Sequence, residues 1–195
     1  MVRYICYIIR YEAFLLAIVG IISCSNHDQH IRKNIETIME SRLVLDTDSL
    51  KMVASSDGSG RNLFTETRWN WIVYIDSMSC NACMIKSLRS WEDYIKLSET
   101  SNKEIGFYFI LGKTKYDMDI IQKAVDESAL NYPVFIDSCG YFMRNNMFIP
   151  QESVYHTFLV DDQLHPILVG NPLSNRHINE LFYHIIEEMH ELGNS

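Results

Sequence analysis

The sequence predicts an α/β domain with a central mixed sheet, helices on both faces, and a carboxyl-terminal antiparallel hairpin followed by a helix. Three observations carry this. Short, nearly continuous apolar runs alternate with amphipathic stretches through the middle of the chain. Two β-branched runs near the carboxyl end are joined by a turn too short for a crossover helix. A cysteine pair, Cys80 and Cys83, follows the first apolar run at the point where a helical period begins.

Each element follows from its own pattern. Residues 28–42 read as an amphipathic helix, with Ile31, Ile35, Ile38 and Met39 on one face, or as a partly ordered stalk. Polar, glycine-rich Ser55–Gly60 is a loop. Trp69 to Asp76 is a strand whose apolar centre suits cover on both faces, and Trp69, Trp71 and Tyr74 read as core or sheet-face residues. Cys80 to about Leu97 carries Ile85, Leu88, Trp91 and Ile95 at helical spacing, with Lys86, Arg89 and Asp93 elsewhere. Ile105 to Leu111 is a second buried strand. Met118 to Leu130 is a helix facing inward through Ile121, Ala124, Val125 and Leu130. Tyr132 to Asp137 is a third strand, with Pro133 near its start, where a missing N–H does least harm. Thr157–Val160 and Ile167–Val169 form the hairpin across Asp161-Asp162-Gln163. Ser174 is the expected cap of a final helix with Ile178, Leu181, Phe182, Ile185 and Met189 inward and Glu187-Glu188 on a solvated face.

The amino terminus reads as an export signal. Arg3 and Arg10 precede the apolar stretch 13–22, which is too short to span a bilayer as a stable helix. It ends in Ile21-Ile22-Ser23-Cys24, which resembles a bacterial lipobox, with Cys24 the acylated first residue of the mature chain. The alternatives are an ordinary signal or an uncleaved anchor. The expected organisation is a lipoprotein signal at 1–23, an amino-terminal helix or tether at 24–42, and one folded domain at 43–195. Lipid would hold that domain to a bacterial membrane, at the periplasmic face or the cell surface. Two arginines and one glutamate leave with the signal, so the formal charge of −8 becomes −9. No basic block remains to track a phosphate backbone, so nucleic acid is not an expected partner.

Of five cysteines, Cys6 leaves with the signal and Cys24 takes lipid, which leaves Cys80, Cys83 and Cys139. One pair and one leftover do not make a disulfide scaffold. Nor is there a second Cys or Cys/His pair at zinc-ligand spacing. At a helix start the Cys80 thiolate would meet unpaired N–H groups and the positive end of the macrodipole, which lowers a thiol pKa below its usual ~8.5. Cys80 is the candidate nucleophile; Cys83, one turn further in, is the candidate resolving thiol. Cys139 reads as a loop or half-buried structural thiol.

The element order, with Cys-x-x-Cys at the first strand-to-helix junction, resembles the thioredoxin fold, and within it the exported TlpA/ResA-like and redoxin group of thiol-disulfide oxidoreductases. The likeness runs from about Leu43 to the end, through Trp71 to Cys83, Tyr132 to Asp137, His156-Thr157-Phe158-Leu159-Val160-Asp161 and Gly170. The lipobox and Gly170-Asn171-Pro172-Leu173 are similar to exported lipoproteins of the Bacteroidetes type. The resemblance implies exchange with protein thiols or disulfides and no cofactor. It also exposes a departure, because Tyr155 stands where such proteins carry a cis-proline facing the dithiol. A cis bond before tyrosine costs roughly 2.5–4 kcal/mol, so a trans Val154–Tyr155 bond is expected.

The same alignment places His156 at the start of the strand facing the thiols. There it is a stabiliser of the Cys80 thiolate, a third ligand in a copper site with Cys80 and Cys83, or a structural groove residue. Asp76 is a proton acceptor for Cys83 or a strand-end turn residue. Thiol-disulfide exchange is the leading expectation. A Cu(I)-binding metallochaperone-like domain using Cys80, Cys83 and His156 is the alternative, and a non-catalytic thioredoxin-like binding module the third.

Overall fold

The structure, a computed structural model, describes residues 28–54, 67–76, 88–100, 105–112, 117–128, 132 and 134–193. The chain separates into two units, residues 1–37 and residues 38–195. Helix α1 covers 28–39. The sheet belongs to the second unit. It comprises β1 (Lys51–Ala54), β2 (Trp69–Ile75), β3 (Ile105–Leu111), β4 (Val134–Ile136), β5 (Thr157–Asp161) and β6 (Pro166–Val169), in the spatial order β1-β4-β3-β2-β5-β6. The helices of this unit are α2 (Glu92–Thr100, entered through a 3-10 turn at Leu88–Trp91), α3 (Met118–Ser128), α4 (Tyr141–Asn145) and α5 (Arg176–Gly193).

Strands β2, β3 and β4 are parallel, while β1 on β4, β5 on β2 and β6 on β5 are antiparallel. Strands β3-β2-β5-β6, with a parallel first pair, a closing hairpin and a final helix, make this an α/β thioredoxin-like fold; β4 and β1 extend its parallel side.

Alternation along the strands sorts their side chains to two faces. Trp71, Val73 and Ile75 of β2, Phe107, Phe109 and Leu111 of β3, and Val134 and Ile136 of β4 share one core with Trp91 and Ile95, with Ile121 and Val125 of α3, and with Phe182 and Ile186 of α5. Crossovers β2 to β3 and β3 to β4 advance in the same direction, so right-handed connections put both helices on this face. Trp71 meets Trp91 and Phe182 with ring centroids 5.5 Å apart in each pair. On the other face Tyr74 stacks on Phe142 of α4.

Several local expectations change. Met39 is exposed while Ile38 is buried, because only the 31, 35, 38 series keeps one phase. Asn175, not Ser174, caps α5, its Oδ1 accepting from the amides of His177 and Ile178. In α5 Ile178, Phe182 and Ile185 face the core as expected, but Leu181 is exposed and Ile186 takes the buried position instead. Within the expected third strand the described segment is Val134–Ile136, with Asp137 just past it, and α3 is described over Met118–Ser128; Leu130 and Pro133 lie outside the described residues. Neither β1 nor α4 was expected. The hairpin turn is built by Asp161, whose Oδ1 accepts from the amides of Gln163 and His165. That gives the aspartate of the closing motif a physical reason. Among the described residues no helix is long and apolar enough to cross a membrane; the stretch 13–22 lies outside them.

Candidate functional site

The three parallel strands end side by side. The Gly112 amide donates to the Ile75 carbonyl and the Asp137 amide to the Leu111 carbonyl, each at 2.8 Å, so Asp76, Gly112 and Asp137 emerge at one end of the sheet. In open α/β sheets this carboxyl end is where ligands and reactive groups collect.

Tyr74, one residue before the end of β2, organises this region. Its ring stacks on Phe142 at 5.1 Å and meets the His156 ring edge-on at 5.5 Å. Its hydroxyl lies over Gly112, where an added Cβ would overlap it. Burial, with the charges of Asp137 and then Asp76, holds the phenol proton well above the ordinary tyrosine value. Asp137 is fully buried, and its two oxygens accept from the amides of Tyr141 at 2.8 Å and Phe142 at 2.9 Å. The carboxylate thereby satisfies the first free N–H groups of α4 and holds Phe142 against Tyr74.

His156 joins the site through both its backbone and its ring. Its carbonyl accepts from the Tyr74 amide at 2.9 Å, continuing the β2–β5 ladder one step past Val73 and Thr157. The side chain is 1 % exposed, and Nε2 lies 2.9 Å from the Pro150 carbonyl. A carbonyl only accepts, so Nε2 carries the proton and Nδ1 is left with its lone pair. Nδ1 is buried and has no hydrogen-bond partner among the described residues. Tyr155 is buried beside it, in the 3-10 turn Ser153–Tyr155. That turn is closed by Tyr155 N to Glu152 O and His156 N to Ser153 O. The Val154–Tyr155 bond is trans.

Of the residues expected at a site, Asp76 is half-buried at the end of β2, and Tyr155 and His156 are consecutive at the foot of β5. Cys80, Cys83 and the lipidation candidate Cys24 lie outside the described residues. Cys139 is exposed in the turn after Asp137 rather than half-buried. Among the described residues no group of three or more histidine, cysteine or acidic side chains is placed to hold a metal ion. From the sequence Tyr74 reads only as a core or sheet-face residue and Asp137 only as the end of a strand. The readable signal for Asp137 is an acidic residue at a strand end a few positions before Gly140 and a new helix. Tyr74 gives none, since a tyrosine in an apolar run reads as core.

No protein-family model matches the chain, and no curated protein does. Among solved structures, the chain is similar to a proposed protein disulfide isomerase from Bacteroides thetaiotaomicron, at 12% identity and a TM-score of 0.48, over 77% of this chain and 87% of that one. It is also similar to a secreted thiol-disulfide isomerase from Corynebacterium glutamicum, at 19% identity and a TM-score of 0.41, over 60% of this chain and 70% of the other.

Proposed function

We propose that the chain is an exported, lipid-anchored thiol-disulfide oxidoreductase of the TlpA/ResA and redoxin type, acting on protein partners through Cys80 and Cys83. The observation that carries this reading is Ser79-Cys80-Asn81-Ala82-Cys83, a few residues beyond the carboxyl end of central strand β2 in a thioredoxin-like sheet. The Cys80 thiolate attacks one sulfur of a partner disulfide, forming a mixed disulfide and releasing the other partner sulfur as a thiolate. The Cys83 thiolate then attacks Cys80, closing the intramolecular disulfide and releasing the second partner sulfur. Two electrons pass from the dithiol to the partner, and the reverse sequence oxidises a partner dithiol. No cofactor enters.

The test is asymmetry between the cysteines. Cys80→Ser should lose all exchange, whereas Cys83→Ser should accumulate mixed disulfides with cellular proteins, scored by non-reducing gels and mass spectrometry. Equal trapping by both variants contradicts the assigned roles. Stoichiometric Cu(I) uptake without exchange would replace this reading with a copper-binding one, and neither response would leave a binding module.

A further inference from the structure

We propose that Arg42–Val44 is a releasable latch on the corner where α4 meets Tyr74: bound, it keeps Phe142 on the Tyr74 ring, and when it lifts, α4 loosens and that corner opens. The latch does not depend on the exchange reading above.

Three segments far apart in sequence meet at these residues. The Arg42 Nε–H donates to the Gln163 carbonyl at 2.8 Å and the Leu43 amide to the Leu164 carbonyl at 2.9 Å, both in the β5–β6 turn. Leu164 is the one non-glycine residue at positive φ among the described residues (65°), a left-handed conformation that a leucine keeps only where its surroundings impose it. Val44, the next residue of the strap, is bracketed by the Asn146 carboxamide, whose Oδ1 accepts from its amide at 2.7 Å and whose Nδ2 donates to its carbonyl at 2.8 Å. The same Nδ2 donates to the Phe142 carbonyl at 2.7 Å, which the Asn146 amide also reaches at 3.1 Å. Both hydrogens of that NH2 are thus committed.

These bonds make the strap and α4 one unit. A helix of five residues has no stability of its own, so α4 stands on its two ends, Asp137 at the start and Asn146 after the last turn. If the strap lifts, Asn146 loses two of its three side-chain bonds at a fully buried position and must turn toward water to replace them, which breaks its hold on Phe142. Little opposes lifting beyond Leu43, the buried side chain of the strap at 1 % exposure; Arg42 is exposed and Val44 is 48 % exposed. A segment with few buried apolar contacts and solvent-facing hydrogen bonds opens well below the free energy of global unfolding. A displacement of the chain that leads into Arg42 is thereby felt at Tyr74, next to the end of β2.

Native-state hydrogen exchange of the full-length protein at neutral pH tests the latch, read at the amides of Val44, Tyr141 and Phe142 and, for comparison, of Phe109 in β3. Leu43→Ala should speed exchange at the three latch amides together by roughly thirtyfold or more, the effect of truncating a buried leucine. Arg42→Ala, at an exposed position, should speed the same three about fivefold, the equivalent of one net hydrogen bond. Val125→Ala, in the core of the opposite face, should speed Phe109 and leave the three unchanged, because the latch opens without unfolding that core. Faster exchange at Val44 alone in the strap variants, or latch amides that follow Phe109 in Val125→Ala, overturns the proposal. Should Leu43→Ala fail to fold, Arg42→Ala decides by the same criteria.

Discussion

Asp137→Asn tests how the carboxyl end of the sheet is held. The native carboxylate accepts two amides, Tyr141 at 2.8 Å and Phe142 at 2.9 Å, at a fully buried position. Asparagine keeps one acceptor oxygen and turns an NH2 toward the second amide, leaving that N–H buried without a partner. A hydrogen bond to a charged group contributes about 1.5–3 kcal/mol, so a loss of about 2–3 kcal/mol is expected. For a chain of this length each kcal/mol corresponds to about 2–4 °C, so Tm should fall by roughly 5–10 °C.

The substitution also removes the charge that acts on Tyr74 after burial itself. The phenol should therefore ionise at lower pH than in wild type while staying above its ordinary value of 10.0. Because the folded state binds this proton more tightly, unfolding gains above pH 10, and stability falls until the folded phenol itself ionises. In the variant that fall should end sooner and be smaller. Circular dichroism melts at neutral pH and at pH 10–11, with NMR of 13C-labelled tyrosine, measure both effects. An unchanged Tm, or a Tyr74 titration that does not move, refutes the account of Asp137 as cap and charge.

Two further outcomes follow from other residues. Asn146 is fully buried and holds the Val44 backbone at both ends, accepting from its amide and donating to its carbonyl as well as to Phe142 O. Asn146→Ala should cost about 3 kcal/mol and release the segment after Leu43, read as faster hydrogen exchange at the Val44 amide; unchanged protection would show that other contacts hold it. Cys24→Ser should abolish acyl labelling and membrane retention, and persistent membrane association would instead indicate an uncleaved anchor.

The parts of the fold visible in the sequence were those whose apolar pattern was sufficient by itself. Strand β3 was bounded correctly because seven buried residues in a row need no context. Strand β1 was invisible, since Lys51-Met52-Val53-Ala54 is a strand only through its bulged pairing with β4. Helix α4 has five residues and depends on Asp137 for its start, so no periodicity could reveal it. In α5, Leu181-Phe182 and Ile185-Ile186 put apolar residues on adjacent faces, and docking against the sheet decided between them. At the site, His156 was recognisable from the motif around it. Its bond to Pro150 was not, because a backbone carbonyl leaves no trace in sequence.

Strand β2 lies between β3 and β5, and its Val73 pairs with Thr157, far downstream in the chain. In a polypeptide growing from its amino terminus, β2 and the dithiol that follows it are made long before β5 and His156. Until β5 arrives, one edge of an almost wholly apolar strand stands open, a template for pairing with the wrong chain. Contacts so distant in sequence also form slowly. The carboxyl-terminal hairpin is thus a late closure, and truncation before Thr157 would yield a chain that keeps both cysteines but leaves β2 a bare and aggregation-prone edge.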